Sequence, residues 1–182
     1  MRVNPRIHEV VYGKRGMLKG IDVVLEAECL VSAVALIFSA IDALAALTRS
    51  VGDGDTTKSV FTDWSDKYLS PIETLGCSST DLYAARCGVL HTYSADSRLG
   101  REAKARRLIY EWKAGPSADA AAALPPDSVV VHVEALNKAL RRGLRAFIID
   151  AETDAETKQK VEHHVKSMLC YTPWSLEAVV AA

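Results

Sequence analysis

Apolar residues recur at helical spacing along most of the chain and predict a mainly α protein. The clearest case is Glu134–Asp150. There Leu136, Leu140, Leu144 and Phe147 repeat on one face, while Lys138, Arg141, Arg142 and Arg145 make the wet face of an amphipathic helix. Lys58–Leu69 carries a second stripe of Phe61, Trp64, Tyr68 and Leu69, with Thr57 as its N-cap and Pro71 as its stop. Ile21–Glu28 and Cys29–Thr48 also read as helix, either continuous or bent near Cys29. In the second stretch Leu36, Ala40, Ala43 and Leu47 share a face, widened by Val34, Ile37, Ile41 and Leu44. A further helix runs to about His91, with Ser79 placed to cap it and Asp81 in its first turn. Ala155–Leu169 adds a last one.

The β signal is small. Arg106–Trp112 and Ser128–Val133 have strand character, and the Ala-, Pro- and Gly-rich Ala114–Pro126 between them reads as a loop. The expectation is a two-stranded hairpin inserted at about 106–133, not a full sheet. Gly13, Gly16 and Gly20 interrupt the first residues, so 1–19 reads as an N-terminal arm. Residues 20–170 then form a single helical domain, and 171–182 an apolar tail. The predicted fold is a bundle of four to six helices with a small β-hairpin appendage. Val51-Gly-Asp-Gly-Asp55 is a turn, because it lacks the Lys-Ser/Thr ending of a phosphate loop.

Composition narrows the function classes. The chain has 182 residues, 49% apolar, with a net charge of −1, which suits one globular domain and gives no overall attraction to nucleic acid. Any such attraction must come from a local patch. The four cysteines form no CxxC pair and no zinc-ligand spacing, and His163 and His164 point apart on a helix, so no metal or other cofactor is expected. A reducing cytoplasm fits this cysteine usage. Cys29 to Leu47 is just long enough to span a bilayer, but Asp42 sits inside it. A buried helix is the better reading, and no membrane association is expected.

The candidate chemistry lies in Asp81-Leu-Tyr-Ala-Ala-Arg-Cys-Gly-Val-Leu-His-Thr-Tyr93. Arg86 supplies a fixed cation and His91 a group that titrates near neutrality, a combination suited to phosphodiester chemistry. In a regular helix the two lie about 140° apart. The long arginine side chain, Gly88 and the nearby helix end ease that separation. A second copy related by a two-fold axis would also bring two arginines and two histidines into one cleft.

Arg86-Cys-Gly-Val-Leu-His91, in the context Leu-Tyr-Ala-Ala-Arg-Cys, resembles the Rx4–6H motif of HEPN domains (higher eukaryotes and prokaryotes nucleotide-binding). The likeness covers roughly residues 20–150, with a helix pair before the motif helix and another helix after it. Many HEPN domains are metal-independent endoribonucleases that dimerise with their motif helices facing across an RNA cleft. The resemblance implies that His91 acts on the ribose 2′-hydroxyl or the leaving oxygen, and that Arg86 steadies the phosphate. It further implies a homodimer, a role in a toxin–antitoxin or defence system, and a possible cognate inhibitor protein. Catalytic members usually carry a polar residue after the arginine. Here it is Cys87, whose thiol is a weak hydrogen-bonding group.

Other residues are read as support. Asp42, the one charge in the most apolar helix, needs a partner, and Arg86 is the natural one. Tyr83 lies one turn before Arg86, and Tyr93 follows His91. Arg98, Arg101, Lys104, Arg106, Arg107 and Lys113 give a local excess of +4 over Glu102 and Glu111, a candidate contact for an RNA backbone. Two alternatives stand beside the nuclease: a non-catalytic binding or scaffold protein of the same fold, with Arg86 in a structural ion pair, and a nucleotide-binding partner of a nucleotidyltransferase.

Overall fold

Each apolar stripe becomes a helix, and the helices close around one core. In the computed structural model, residues 4–69, 72–113 and 123–168 are described. In chain order they form α1 (Pro5–Ile7), α2 (Met17–Glu26), α3 (Leu30–Ala46), α4 (Lys58–Tyr68), α5 (Ser79–Thr92) and α6 (Arg98–Arg101). β1 (Arg107–Glu111), β2 (Ser128–His132), α7 (Val133–Thr153) and α8 (Ala155–His164) follow. Among the described residues six helices have ten residues or more, so the protein is mainly α with a small β appendage, as the periodicity predicts. The expected stop at Pro71, most of the loop 114–126 and the tail from 171 lie outside the described residues.

The 27–29 segment answers whether the first apolar stretch is one helix or two. Glu28 takes a left-handed φ of 56°, α2 ends, and α3 returns against it. Ile37, Phe38, Ile41 and Leu44 of α3 are buried to within 1%. Leu36, expected on the same face, is instead 38% exposed. The buried arc of α3 is rotated away from it, and the Leu36 side chain reaches only the edge of α2 beside Gly20.

Trp64 and Tyr68 of α4 pack edge-on against Phe147 of α7, with centroids 5.4–6.1 Å away. Thr57 caps α4 as expected, its hydroxyl accepting from the Val60 N–H. Helix α7 buries Leu136, Leu140, Leu144 and Phe147, the predicted stripe. Arg141 on its flank pairs with Asp22 and ties α7 to α2.

The N-terminal arm is helical: α1 and a π-helical turn over His8–Tyr12 send Ile7 and Val11 into the core, each 1% exposed. Two local expectations are corrected. Gly20 breaks nothing and sits inside α2. The β appendage is not a hairpin, since β1 and β2 pair in parallel from Arg107↔Ser128 to Glu111↔His132. Parallel neighbours need a crossover of a dozen or more residues, and 112–127 supplies it, whereas a hairpin needs only a tight turn. Strand β2 then runs directly into α7 at Val133.

Gly143 sets how closely α7 approaches α4. A Cβ there would come within 2.5 Å of the Tyr68 carbonyl oxygen, a backbone atom that cannot swing away. Gly143→Ala is therefore expected to lower stability by about 1–3 kcal/mol through overpacking, although alanine is the better helix former by about 1 kcal/mol. Urea unfolding checks this: a variant as stable as the parent, or more so, contradicts the close approach.

Candidate functional site

Helix α5 carries the candidate site, and its first turn fixes how the helix lies. Ser78, not Ser79, is the N-cap: its hydroxyl accepts from Asp81 N–H at 3.1 Å, while the Asp81 carboxylate accepts from Ser78 N–H at 3.0 Å. This reciprocal capping box satisfies two orphan helix donors. The same carboxylate reaches past the helix end. Oδ1 accepts from Arg106 N–H at 2.7 Å, and Oδ2 from Arg106 Nη2 at 2.7 Å and Nε at 3.1 Å. Arg106 Nη2 also donates to Gly76 O at 3.1 Å.

Asp81 is 3% exposed and is the one buried carboxylate among the described residues. Burial by itself raises its pKa. The Ser78 and Arg106 N–H groups, the guanidinium and the Ser78 hydroxyl outweigh that and hold it below the usual carboxylate value.

Downstream of this anchor, α5 stays regular to Thr92. Arg86 enters the α3–α5 interface, where Nη2 donates to Asp42 Oδ2 at 2.6 Å. The pair is mostly enclosed, with 18% and 23% of the two side chains exposed. Burial opposes the guanidinium charge, but the hydrogen bond and charge of Asp42 raise its pKa above the ordinary arginine value. Arg86 Nη1 lies 3.9 Å from Cys87 Sγ, and Arg86 Nε is buried without a partner. Tyr83 packs its ring edge-on to Phe61 at 5.6 Å. Burial and then the Cys87 thiol push the tyrosine pKa upward. The fold thus brings Asp42, Tyr83, Arg86 and Cys87 together.

His91 stands apart from that group. It is exposed and makes no hydrogen bond or ion pair among the described residues. Residues 86 and 91 keep the helical separation of about 140°, since the helix does not unwind between them. His91 lies one turn beyond Cys87, on the same stripe. Gly88 does not loosen the backbone. Its missing Cβ lets the chain after the helix fold back, with Ser94 O and Asp96 O at 2.5 and 2.9 Å from where that carbon would be.

Tyr93 closes the helix in a left-handed conformation, φ 50°, with Tyr93 N–H on Val89 O and Ser94 N–H on Gly88 O. This is an αL ending, where glycine is usual, and a non-glycine residue there is strained. The Tyr93 ring is 71% exposed.

The basic segment returns along the other flank of α5. With Ala84 and Ala85 it lines a cavity of about 180 Å³ that includes Ser97, Arg101, Arg106 and Arg107. An adjoining hollow of about 310 Å³ is lined by Lys104, Arg106 and Asp127. Most of these cations are already engaged. Arg106 holds Asp81, Arg107 pairs with Asp96 at 2.5 Å, and Arg98 and Lys104 both face Glu102, at 3.7 and 2.8 Å. Arg101 has no acidic partner among the described residues.

Among the described residues no group of three or more His, Cys, Asp or Glu side chains could hold a metal ion. Likewise, no helix is long and apolar enough to cross a membrane. Cys77 is buried, and that burial pushes its thiol up to about 12.

The residue that sequence reasoning undervalued is Asp81. Asp81 is more than a first-turn acid, and Ser78-Ser-Thr-Asp81 has capping-box spacing. Its second partner, Arg106, left no trace in sequence because it lies 25 residues away. Comparison with protein-family models, with curated proteins and with solved structures finds no match.

Asp81 should govern acid stability. Its folded pKa lies below the roughly 3.9 of an unfolded aspartate, so the unfolded chain takes up the proton first as pH falls. The stabilisation is present above about pH 4 and is lost as pH drops through the folded value. Asp81→Ala should cost about 3 kcal/mol at pH 7, because it strands the Ser78 and Arg106 N–H groups, and it should flatten the fall in stability below pH 4. Urea midpoints across pH 3–7 measure both; a parallel pH profile in the variant contradicts the assignment.

Proposed function

We propose that the protein is a HEPN-like RNA-acting protein that works by binding, with the exposed end of α5 as its contact surface and Arg86 as a positioning cation. The observation that carries this reading is the division of labour along α5. Arg86 is drawn into a 2.6 Å pair with Asp42, while His91 and Tyr93 stand in solvent beside the returning basic segment. A guanidinium engaged in this way orients the helix and has little left to offer a phosphate. An exposed tyrosine ring is a platform for an unstacked base, an imidazole is a hydrogen-bonding partner for base or ribose, and Arg101 is a free cation for the backbone.

The second reading is the metal-independent endoribonuclease formed by two copies. What supports it is that His91 is exposed and lies on the same stripe of α5 as half-buried Cys87 and Tyr83. On this reading His91 moves the proton at the 2′-hydroxyl, and the Asp42-held Arg86 stabilises the developing charge. The toxin or defence role and the cognate inhibitor belong to this reading.

Two assays separate the readings. Filter binding of single-stranded RNA should weaken by about 1–3 kcal/mol in Tyr93→Ala. Arg101→Ala should reduce the salt slope of log Kd by about one. Unchanged affinity and slope in both variants would falsify the binding surface. Incubation of RNA with the protein in chelator should leave it intact under the binding reading. Cleavage that disappears in His91→Ala selects the nuclease, and cleavage that survives in His91→Ala removes the proposed role of His91. Arg86→Ala should lower the melting temperature, since it leaves the Asp42 carboxylate enclosed without its partner.

A further inference from the structure

The chain after α5 is held in a strained course, and what it encloses is a cavity of mixed chemistry. Two residues with left-handed φ, Tyr93 at 50° and Ala103 at 53°, bracket the segment 94–102. Non-glycine residues keep that conformation only where the surrounding structure over-determines it. Gly88 provides the opening, since Ser94 O and Asp96 O lie against the place its Cβ would take. Together these three positions turn the chain back over α5 and deliver it to Arg106 and Arg107, where β1 begins.

Buried Ala84 and Ala85 of α5 and Leu108 of β1 make an apolar floor for this cavity, and the short alanine side chains leave room above it. Arg101, Arg106, Arg107 and Asp127 surround the floor. The adjoining hollow shares Arg106 and Asp127, and the two spaces together reach the size of a small-molecule site. The charged groups retain bonding capacity. Arg101 has no acidic partner among the described residues. Arg106 uses Nε and Nη2 on Asp81 and Gly76, while its Nη1 makes no hydrogen bond among the described residues. The Arg107–Asp96 pair is exposed, at 39% and 55%, and a pair so exposed is weak enough for another anion to displace Asp96. The Asp127 carboxylate has no hydrogen-bond or ion-pair partner among the described residues, and it lines both hollows.

We propose that this cavity binds a ribonucleotide through a phosphomonoester and the ribose 2′-hydroxyl, presented either by a free nucleoside 5′-monophosphate or by the 5′-phosphorylated end of an RNA. The guanidinium groups of Arg101, Arg106 and Arg107 offer planar forks to the phosphate, and a dianionic monoester gains more from three cations than a monoanionic diester does. Asp127 can only accept, so its ligand must also donate, which the 2′-hydroxyl does and inorganic phosphate at the same site does not require. The apolar floor receives the uncharged body of the ligand. The choice of a ribonucleotide rests on the RNA-acting reading above, but the pocket does not use His91 or Tyr93.

Isothermal titration of the full chain with the common ribonucleoside 5′-monophosphates tests the pocket directly. Saturable binding is expected, weakened about tenfold in Arg107→Ala, the loss of one charged hydrogen bond. The matching 2′-deoxynucleotide should bind the parent about tenfold more weakly than the ribonucleotide, and Asp127→Ala should bind the two equally. Asp127 is exposed and holds no other side chain, so this variant keeps the test open if Arg107→Ala unfolds. No binding of any monophosphate overturns the proposal. So does inorganic phosphate binding as tightly as the nucleotides, or a ribose preference that survives in Asp127→Ala. Filter binding of one RNA with a 5′-phosphate or a 5′-hydroxyl separates the two sources: tighter binding of the phosphorylated form assigns the pocket to an RNA end, and equal binding beside saturable nucleotide binding assigns it to the free nucleotide. Nucleotide binding without RNA binding upholds the pocket and removes the RNA-acting reading. RNA binding without nucleotide binding or any effect of the 5′-phosphate does the reverse.

Discussion

The structure depends most on a single buried carboxylate. Asp81 is 3% exposed, and its carboxylate is satisfied by protein donors: the backbone N–H groups of Ser78 and Arg106 and a two-pronged guanidinium. A buried anion without such partners is among the most unfavourable arrangements a protein interior can hold. Here the requirement works as a constraint. It sets where α5 begins, and it sets where β1 must start, because Arg106 precedes the strand by one residue.

Everything in the candidate site follows from that placement. With α5 fixed at its N-terminus and regular to Thr92, Arg86 can only face α3, and Asp42 is the acid waiting there. His91 is then carried around to the exposed edge. The loop after Tyr93 closes over Gly88 because no side chain blocks it, and this brings the basic segment back along α5 instead of away from it. Charge is spent locally in that segment: Asp81, Asp96 and Glu102 engage most of its cations, so the +4 excess counted along the sequence does not survive as a free patch. Arg101 keeps no acidic partner among the described residues, and the Tyr93 ring stays exposed.

Apolar periodicity made the long helices legible. The stripe of α7 and that of α4 with Thr57 as cap needed no tertiary information, since helix and cap are local. The Asp42–Arg86 pair was also legible, because a lone acid in an apolar helix must find a cation and few were in reach. The cap of α5 was misplaced by one residue: two adjacent serines offer the same chemistry, and only the reciprocal bond to Asp81 distinguishes them. The rotation of α3 was misjudged as well. Its residues are apolar nearly all round, so hydropathy gives no preferred face, and Leu36 falls outside the buried arc.

By itself the sequence determined the elements and their chemistry: helices from 3.6-residue periodicity, a modest β component, a basic segment and an Arg–His spacing that a regular helix holds about 140° apart. Only the tertiary structure decided that the two strands run parallel, that Arg106 serves Asp81, that Gly88 makes room for a returning loop, and that Arg86 is enclosed while His91 is exposed. The reason is range. Periodicity and capping are set by neighbours within one or two turns, whereas strand direction, burial and ion-pair choice depend on which distant segments reach the same space, and that is known only once the core has closed.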